Sequence, residues 1–390
     1  MSSTSAYDIY TTTKEAWDAM YQALLTAKKS IYWEVFIFID DEAGKKFLQI
    51  LEEKARAGLD VKLIIDGLGS FLFSKKSFES LKKAGVDIKI FQERKKRYRG
   101  LWKAMFSRTH RKILIVDEKI GFIGGVNVQK LMEDWLDMHV KIEGKVVRSL
   151  LRSFAKMYII CGGDKEKVRH LLKYKFRLYK DKVQFVYDDA HGKDSLARQK
   201  YSEALLKARE RVILFSPYYF PDKEFLKALW NARKRGVRVD ILIPFRTDMR
   251  FIAYAAYFWF SIMKKIGVKV HLLNQMMHGK GVVMDDDWTM IGSSNLEYTS
   301  FYDSYEANVQ IHDPEFVKKV KQNLEKWMGD AKHLDDMDWE KRGFFHRLKE
   351  KIAAWLYRLW HRKIDSQFVP SYEKKFPSTP GRPDETTKPK

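Results

Sequence analysis

Cysteine is nearly missing: Cys161 is the single one in 390 residues. One thiol can form no intramolecular disulfide and no cysteine zinc site, and such a chain fits a reducing cytosol. The opening stretch, "MSSTSAYDIYTTTKEAWDAM", lacks a charged segment followed by an apolar core, so no secretory leader is expected. Long apolar runs are lacking too. The most apolar, "FIAYAAYFWFSIM", covers only residues 251–263. That is too short to cross about 30 Å of hydrocarbon as a helix. It reads as core or pocket wall, and no transmembrane span is expected. There is no HExxH motif and no carboxylate cluster, so neither a metal nor another cofactor is expected.

What the chain has is positive charge and apolar mass. It carries 73 Lys and Arg against 51 Asp and Glu, a formal charge of +22. That excess favours an anionic partner: nucleic acid, an anionic membrane or a phosphorylated substrate. An apolar share of 45% is ample for a buried core, and the length suggests two or more domains.

The chain also repeats itself. "HRKILIVDEKIGFIGGVN" begins at His110 and "HGKGVVMDDDWTMIGSSN" at His278, 168 residues later. Both have His-x-Lys, then Asp 7, Gly 14 and Asn 17 places after the His. Upstream, "EEKARAGLDVKLIIDG" is similar to "LWNARKRGVRVDILIP", and "LKKAGVDIKIF" to "MKKIGVKVHLL". Each pair reads as a helix closed by glycine and followed by an apolar strand. Alternating strands and helices predict an α/β fold, with two pseudo-twofold-related halves, each a sheet flanked by helices. The expected layout is a helical lead-in over 1–25, halves over 26–180 and 181–330, and a separate tail over 331–390.

Residues two apart share a strand face, so His110 and Lys112 point one way, as do His278 and Lys280. Asp117 and Asp285 have the other parity and sit at hairpin turns, where Asp commonly binds backbone amides. If the halves meet about a twofold axis, two imidazoles and two ammonium groups converge. That set suits a phosphodiester: Lys112 and Lys280 stabilise the charge, one His attacks phosphorus, and the other protonates the leaving oxygen. A nucleophilic His needs an orienting acceptor on its other ring nitrogen. Asp137, 27 residues after His110, and Glu306, 28 after His278, occupy matching places and are expected to serve, each in its own half. Asn127 and Asn295 follow glycine-containing turns and are candidate phosphate ligands.

At these residues the chain resembles the phospholipase D superfamily, over roughly residues 28–328. The flanking "EVFIFIDDEAGKKFLQIL", "SPYYFPDKEFLKAL" and "NLEYTSF" are similar to its cardiolipin synthase branch, bacterial type, here without leading transmembrane segments. The resemblance implies two phospholipase D-like halves with the active site at their interface, and His110, Lys112, Asp117, His278, Lys280 and Asp285 as the catalytic motif. It also implies phosphatidyl transfer through phosphohistidine, with His110 the nucleophile and His278 the acid. Phosphatidylglycerol would be donor and acceptor, glycerol the released product, and the location cytoplasmic, peripherally on the inner membrane. The rival readings are a phospholipase D hydrolase, a superfamily nuclease or phosphodiesterase acting on nucleic acid, and a non-catalytic anion-binding module.

Two segments suit a membrane surface. In "RGFFHRLKEKIAAWLYRLWHRK", Phe345, Leu348, Ile352, Trp355, Leu356 and Leu359 recur at helical spacing, and residues 341–363 hold eight Lys and Arg with one acid, Glu350. A basic amphipathic helix of this kind reads as interfacial. Residues 94–112 hold nine Lys and Arg and no acid, with Trp102 and Phe106, a rim that would gather anionic head groups or nucleic acid. The Pro- and Lys-rich end of the chain reads as disordered.

Overall fold

The computed structural model describes residues 7–91, 107–174, 182–190, 194–247 and 250–360. Most of the basic run, residues 94–106 with Trp102 and Phe106, and the chain after 360 lie outside the described residues. The first sheet is built from β1 (Tyr7–Thr12), β2 (Ser30–Val35), β3 (Asp60–Asp66) and β4 (Asp87–Phe91). It also takes in β6 (Ile113–Val116), β7 (Ile120–Gly124) and β8 (Leu136–Glu143), after the short β5 (Arg108–Thr109). Its strand order is β1-β8-β7-β6-β2-β3-β4. The second sheet uses β9 (Val183–Asp188), β10 (Arg211–Phe215), β11 (Arg238–Pro244), β12 (Lys269–Leu273), β13 (Gly281–Met284), β14 (Trp288–Gly292), β15 (Ser304–Ile311) and β16 (Lys332–His333). There the order is β9-β15-β14-β13-β10-β11-β12-β16.

The two orders are the same arrangement twice. In each half three strands run parallel, and a three-stranded antiparallel meander attaches to the first of them. Gly58 and Gly236, at φ +87° and +86°, end equivalent helices in the left-handed conformation that glycine adopts without strain. The repeat begins earlier than expected. Residues 1–25 are not merely a helical lead-in, because β1 is an edge strand of the first sheet, matching β9 in the second. Its six residues, "YDIYTT", are half exposed and lack a clean alternation, which hid the strand. The second sheet likewise continues past 330, through β16.

Strands β6 and β13 are buried on both faces, which is why their sequences read as unbroken apolar runs. Ile113 and Ile115 face a central core shared by both halves, while Leu114 and Val116 face the outer core of the first half. Helices Val147–Ile160 and Pro314–Gly329 fill that central core between the sheets. The aromatic helix Arg250–Lys265 packs Trp259 and Phe260 into the second half's outer core. Among the described residues no helix is long and apolar enough to cross a membrane.

Candidate active site

The halves are stitched together at two matching places. β15 runs parallel to β5, and the His110 amide donates to the Tyr305 carbonyl at 3.0 Å. Symmetrically, Leu136 bridges Met277, and the His278 amide donates to the Leu136 carbonyl at 2.7 Å. Each motif histidine is thus pinned to the residue just before the opposite half's carboxylate.

The side chains follow. His110 Nδ1 lies 3.0 Å from Glu306 Oε1, and His278 Nδ1 lies 3.1 Å from Asp137 Oδ2. This corrects the expectation that Asp137 serves His110 and Glu306 serves His278: the carboxylates are exchanged between halves. Matching spacing within each half cannot distinguish the two pairings, because the twofold relation produces the same spacings either way. A carboxylate at Nδ1 holds the proton there and leaves Nε2 as the reactive nitrogen. The imidazoles are nearly enclosed, with 12% and 7% of their side chains exposed. The Phe36 ring lies 4.9 Å from His110, and Trp135 lies 5.6 Å from His278.

Lys112 and Lys280 are buried, and each ammonium donates to the carbonyl of its own motif histidine. Burial, then the charge of Lys280, holds Lys112 well below the usual lysine range. Burial and the two lysines also hold His110 well below an ordinary imidazole, so it is neutral at pH 7. His278 is lowered by burial and Lys280, but its bond to Asp137 pulls the other way. The carboxylates differ as well. Burial pushes Glu306 up to about 7, against the opposing pull of Lys112 and the Ser293 hydroxyl. Asp137 is also pushed up by burial, yet the bond to His278 and the nearby cations outweigh this and hold it below the ordinary range.

One position explains part of that asymmetry. Ser293 Oγ donates to Glu306. The matching residue is Gly125, where a Cβ would collide with Asp137 Oδ1 and crowd the His278 carbonyl. Sequence reasoning passed over Ser293, although the contrast of "IGG" with "IGS" was visible. The aromatic walls Phe36 and Trp135 carried no such signal.

Asp117 and Asp285 lie just past the far ends of β6 and β13, strands about 13 Å long that begin after the His-x-Lys segments. Asp117 accepts from the amides of Lys28, Lys29 and Ser30, and Asp285 from those of Arg209, Glu210 and Arg211. Both have positive φ, 54° and 48°, which Asp tolerates better than most side chains. Asn127 Oδ1 accepts from the Ile37 amide, leaving its buried Nδ2 unpartnered. Asn295 Nδ2 donates to Glu297 Oε1, and Glu297 Oε2 in turn accepts from Tyr357 of the C-terminal helix.

Two imidazoles held at Nδ1 by carboxylates, both lowered but His278 opposed by its bond to Asp137, and flanked by two lysines, can hold a phosphodiester and exchange one of its ester oxygens. Comparison with known proteins adds the following. Residues 20–158 and 201–328 match the family described as "Cardiolipin synthase, PLD-like domain". Cardiolipin synthase B of Salmonella typhi is 31% identical over 353 residues, 86% of this chain and 83% of that protein. Cardiolipin synthase of Alkalihalophilus pseudofirmus is 30% identical, over 91% of this chain and 72% of that protein. Among solved structures, phosphatidylserine synthase from Haemophilus influenzae superposes with a TM-score of 0.69 at 15% identity, covering 92% of this chain and 93% of that one, a likeness of fold.

Proposed function

The chain belongs to the cardiolipin synthase family of phospholipase D-like proteins, a phospholipase D-type phosphatidyltransferase, and from that membership we propose that it makes cardiolipin from two phosphatidylglycerol molecules. The observation that carries the chemistry is the unequal pair of exchanged histidine–carboxylate contacts. His110 is the neutral partner, so its Nε2 attacks the phosphodiester phosphorus. His278 is also lowered, but it faces a carboxylate that stays ionised and favours its charged form, so of the two it is the one that delivers the proton. That proton goes to the departing glycerol oxygen as the phosphorus–oxygen bond breaks. The phosphatidyl group is left on His110 Nε2. The hydroxyl of a second phosphatidylglycerol then gives its proton to His278 and attacks phosphorus, and the phosphorus–nitrogen bond breaks. Lys112 and Lys280 stabilise the negative charge that builds on the non-bridging oxygens, and Asn127 Nδ2 is a further donor for them. The reaction takes place at an anionic membrane surface, to which the charge of +22 draws the protein.

The test is lipid analysis after incubating pure protein with phosphatidylglycerol vesicles. Cardiolipin and free glycerol in equal amounts are expected. Phosphatidic acid in place of cardiolipin would overturn transfer in favour of hydrolysis, and cleaved nucleic acid with unchanged lipid would favour the nuclease reading. With labelled lipid, His278→Ala should accumulate an acid-labile phosphatidyl–protein adduct, and His110→Ala should form none.

A further inference from the structure

We propose that the active-site mouth is flanked by two apolar elements that dock together on an anionic bilayer: the C-terminal helix on the second half and the turn at residues 67–73 on the first. This rests on the lipid reading of the site and adds the surface by which the protein meets its substrate.

Among its described side chains, the helix Phe344–Trp360 turns Ala353, Ala354 and Tyr357 inward and leaves six large apolar ones outward. Ala353, Ala354 and Tyr357 are buried in the second half's outer core. Tyr357 stacks 4.0 Å from Phe220 and donates to Glu297. On the outer side Phe344 and Phe345 are each 75% exposed, Trp355 is 54% exposed, and Leu348, Ile352 and Leu356 are exposed beside them. Six large apolar side chains left in solvent on one helix mark an interaction surface. The charges indicate what covers it. Arg347, Lys349 and Lys351 are exposed, whereas Glu350, the one acid of the helix, is buried and bonded to Arg342. An apolar stripe bordered by cations, with its acid hidden, complements an anionic lipid surface.

The turn after β3 is independent of the helix and has the same character. Leu68, Phe71 and Leu72 are 55%, 69% and 56% exposed, and the exposed Lys75 and Lys76 follow directly. It is firmly held. Asp66 accepts from the amides of Leu68 and Gly69, Ser70 Oγ bonds the backbone of Phe36 and Phe38, and Phe73 points inward to meet the Phe38 ring at 6.0 Å. Phe36 in turn stands against His110, so the outward apolar tips are one residue layer from the proposed nucleophile.

Each element stands at the active-site end of its own sheet. The turn follows the carboxyl end of β3, the end at which His110 enters the sheet. Phe220 and Glu297, which seat the helix, follow β10 and β14 at the end where His278 enters. Docking both elements on one bilayer would therefore point the mouth at the head groups.

The experiment uses the full chain and vesicles of 30% phosphatidylglycerol in phosphatidylcholine, with pure phosphatidylcholine as control. F345E/W355E should reduce the vesicle-bound fraction at least tenfold. F71E/L72E should reduce turnover on vesicles at least tenfold. Both should keep turnover on monomeric short-chain phosphatidylglycerol within threefold, which shows that the fold is intact. Unchanged binding and unchanged vesicle turnover in both variants would overturn the proposal. So would a dimer that F345E/W355E converts to monomer with vesicle binding intact, because the helix would then face a second copy. Vesicle binding by a wild type that turns over neither lipid would uphold the docking surface while defeating the phosphatidyl-transfer reading.

Discussion

His110 and Glu306 are 196 residues apart in the chain and 3.0 Å apart in the fold, and neither has its matching partner from its own repeat. Glu306 is buried with its carboxyl raised from 4.5 to about 7, so the folded state disfavours its charged form. The cost is absent below the unfolded value, grows between 4.5 and 7, and is complete above 7, where it reaches about 3 kcal/mol. Glu306→Gln keeps the shape and removes the charge. Its melting temperature should exceed the wild type's by several degrees at pH 8 and match it near pH 4, while kcat falls at least a hundredfold. Thermal melts at the two pH values check the sign.

Asp137→Asn should act on the other limb of the reaction. The Asp137 carboxylate raises the proton affinity of His278 against burial and Lys280. Without it His278 loses its proton at lower pH. The alkaline limb of the kcat profile should move to lower pH while the acid limb, set by His110, stays in place. A profile that only drops in height would contradict the assignment of His278 as the acid.

Gly125→Ser copies the second half's residue into the first. The added side chain would collide with Asp137 Oδ1 and crowd the His278 carbonyl. Loss of at least tenfold in kcat is expected, with the His278 resonances shifted in an NMR titration. Ser293→Gly removes a hydroxyl from Glu306 without a clash and should lose less.

Asp117→Ala and Asp285→Ala should each destabilise by about 1–2 kcal/mol, since each leaves three backbone amides without their carboxylate and places Ala at positive φ. Asp117 has its carboxyl held below the ordinary range, so its support is present above the unfolded pKa and is lost as pH falls through the folded one. Denaturant titration at pH 7 measures both losses.

The repeat, the motif residues and the α/β class were legible because they rest on local spacing and on apolar runs. The sequence was silent on pairing. Asp137 and Glu306 stand at matching distances from their own histidines, and only the strand contacts β5–β15 and Leu136–Met277 show that the halves trade them. β1 escaped notice because an exposed edge strand carries little apolar pattern. In the C-terminal helix the apolar spacing was legible, but its orientation was not. Ala353, Ala354 and Tyr357 are the residues buried against the second half, while Phe345, Leu348, Ile352, Trp355 and Leu356 face outward.

The exchange of carboxylates has a consequence for symmetry. In an assembly of two identical copies, both imidazoles would meet the same acid and would share one chemical character. Carried on a single polypeptide, the two corners are free to differ. Here one has Glu306 with a serine hydroxyl and the other Asp137 with a bare glycine. In the proposed mechanism that inequality would give the reaction a direction, separating the nitrogen that takes the phosphoryl group from the nitrogen that handles the proton.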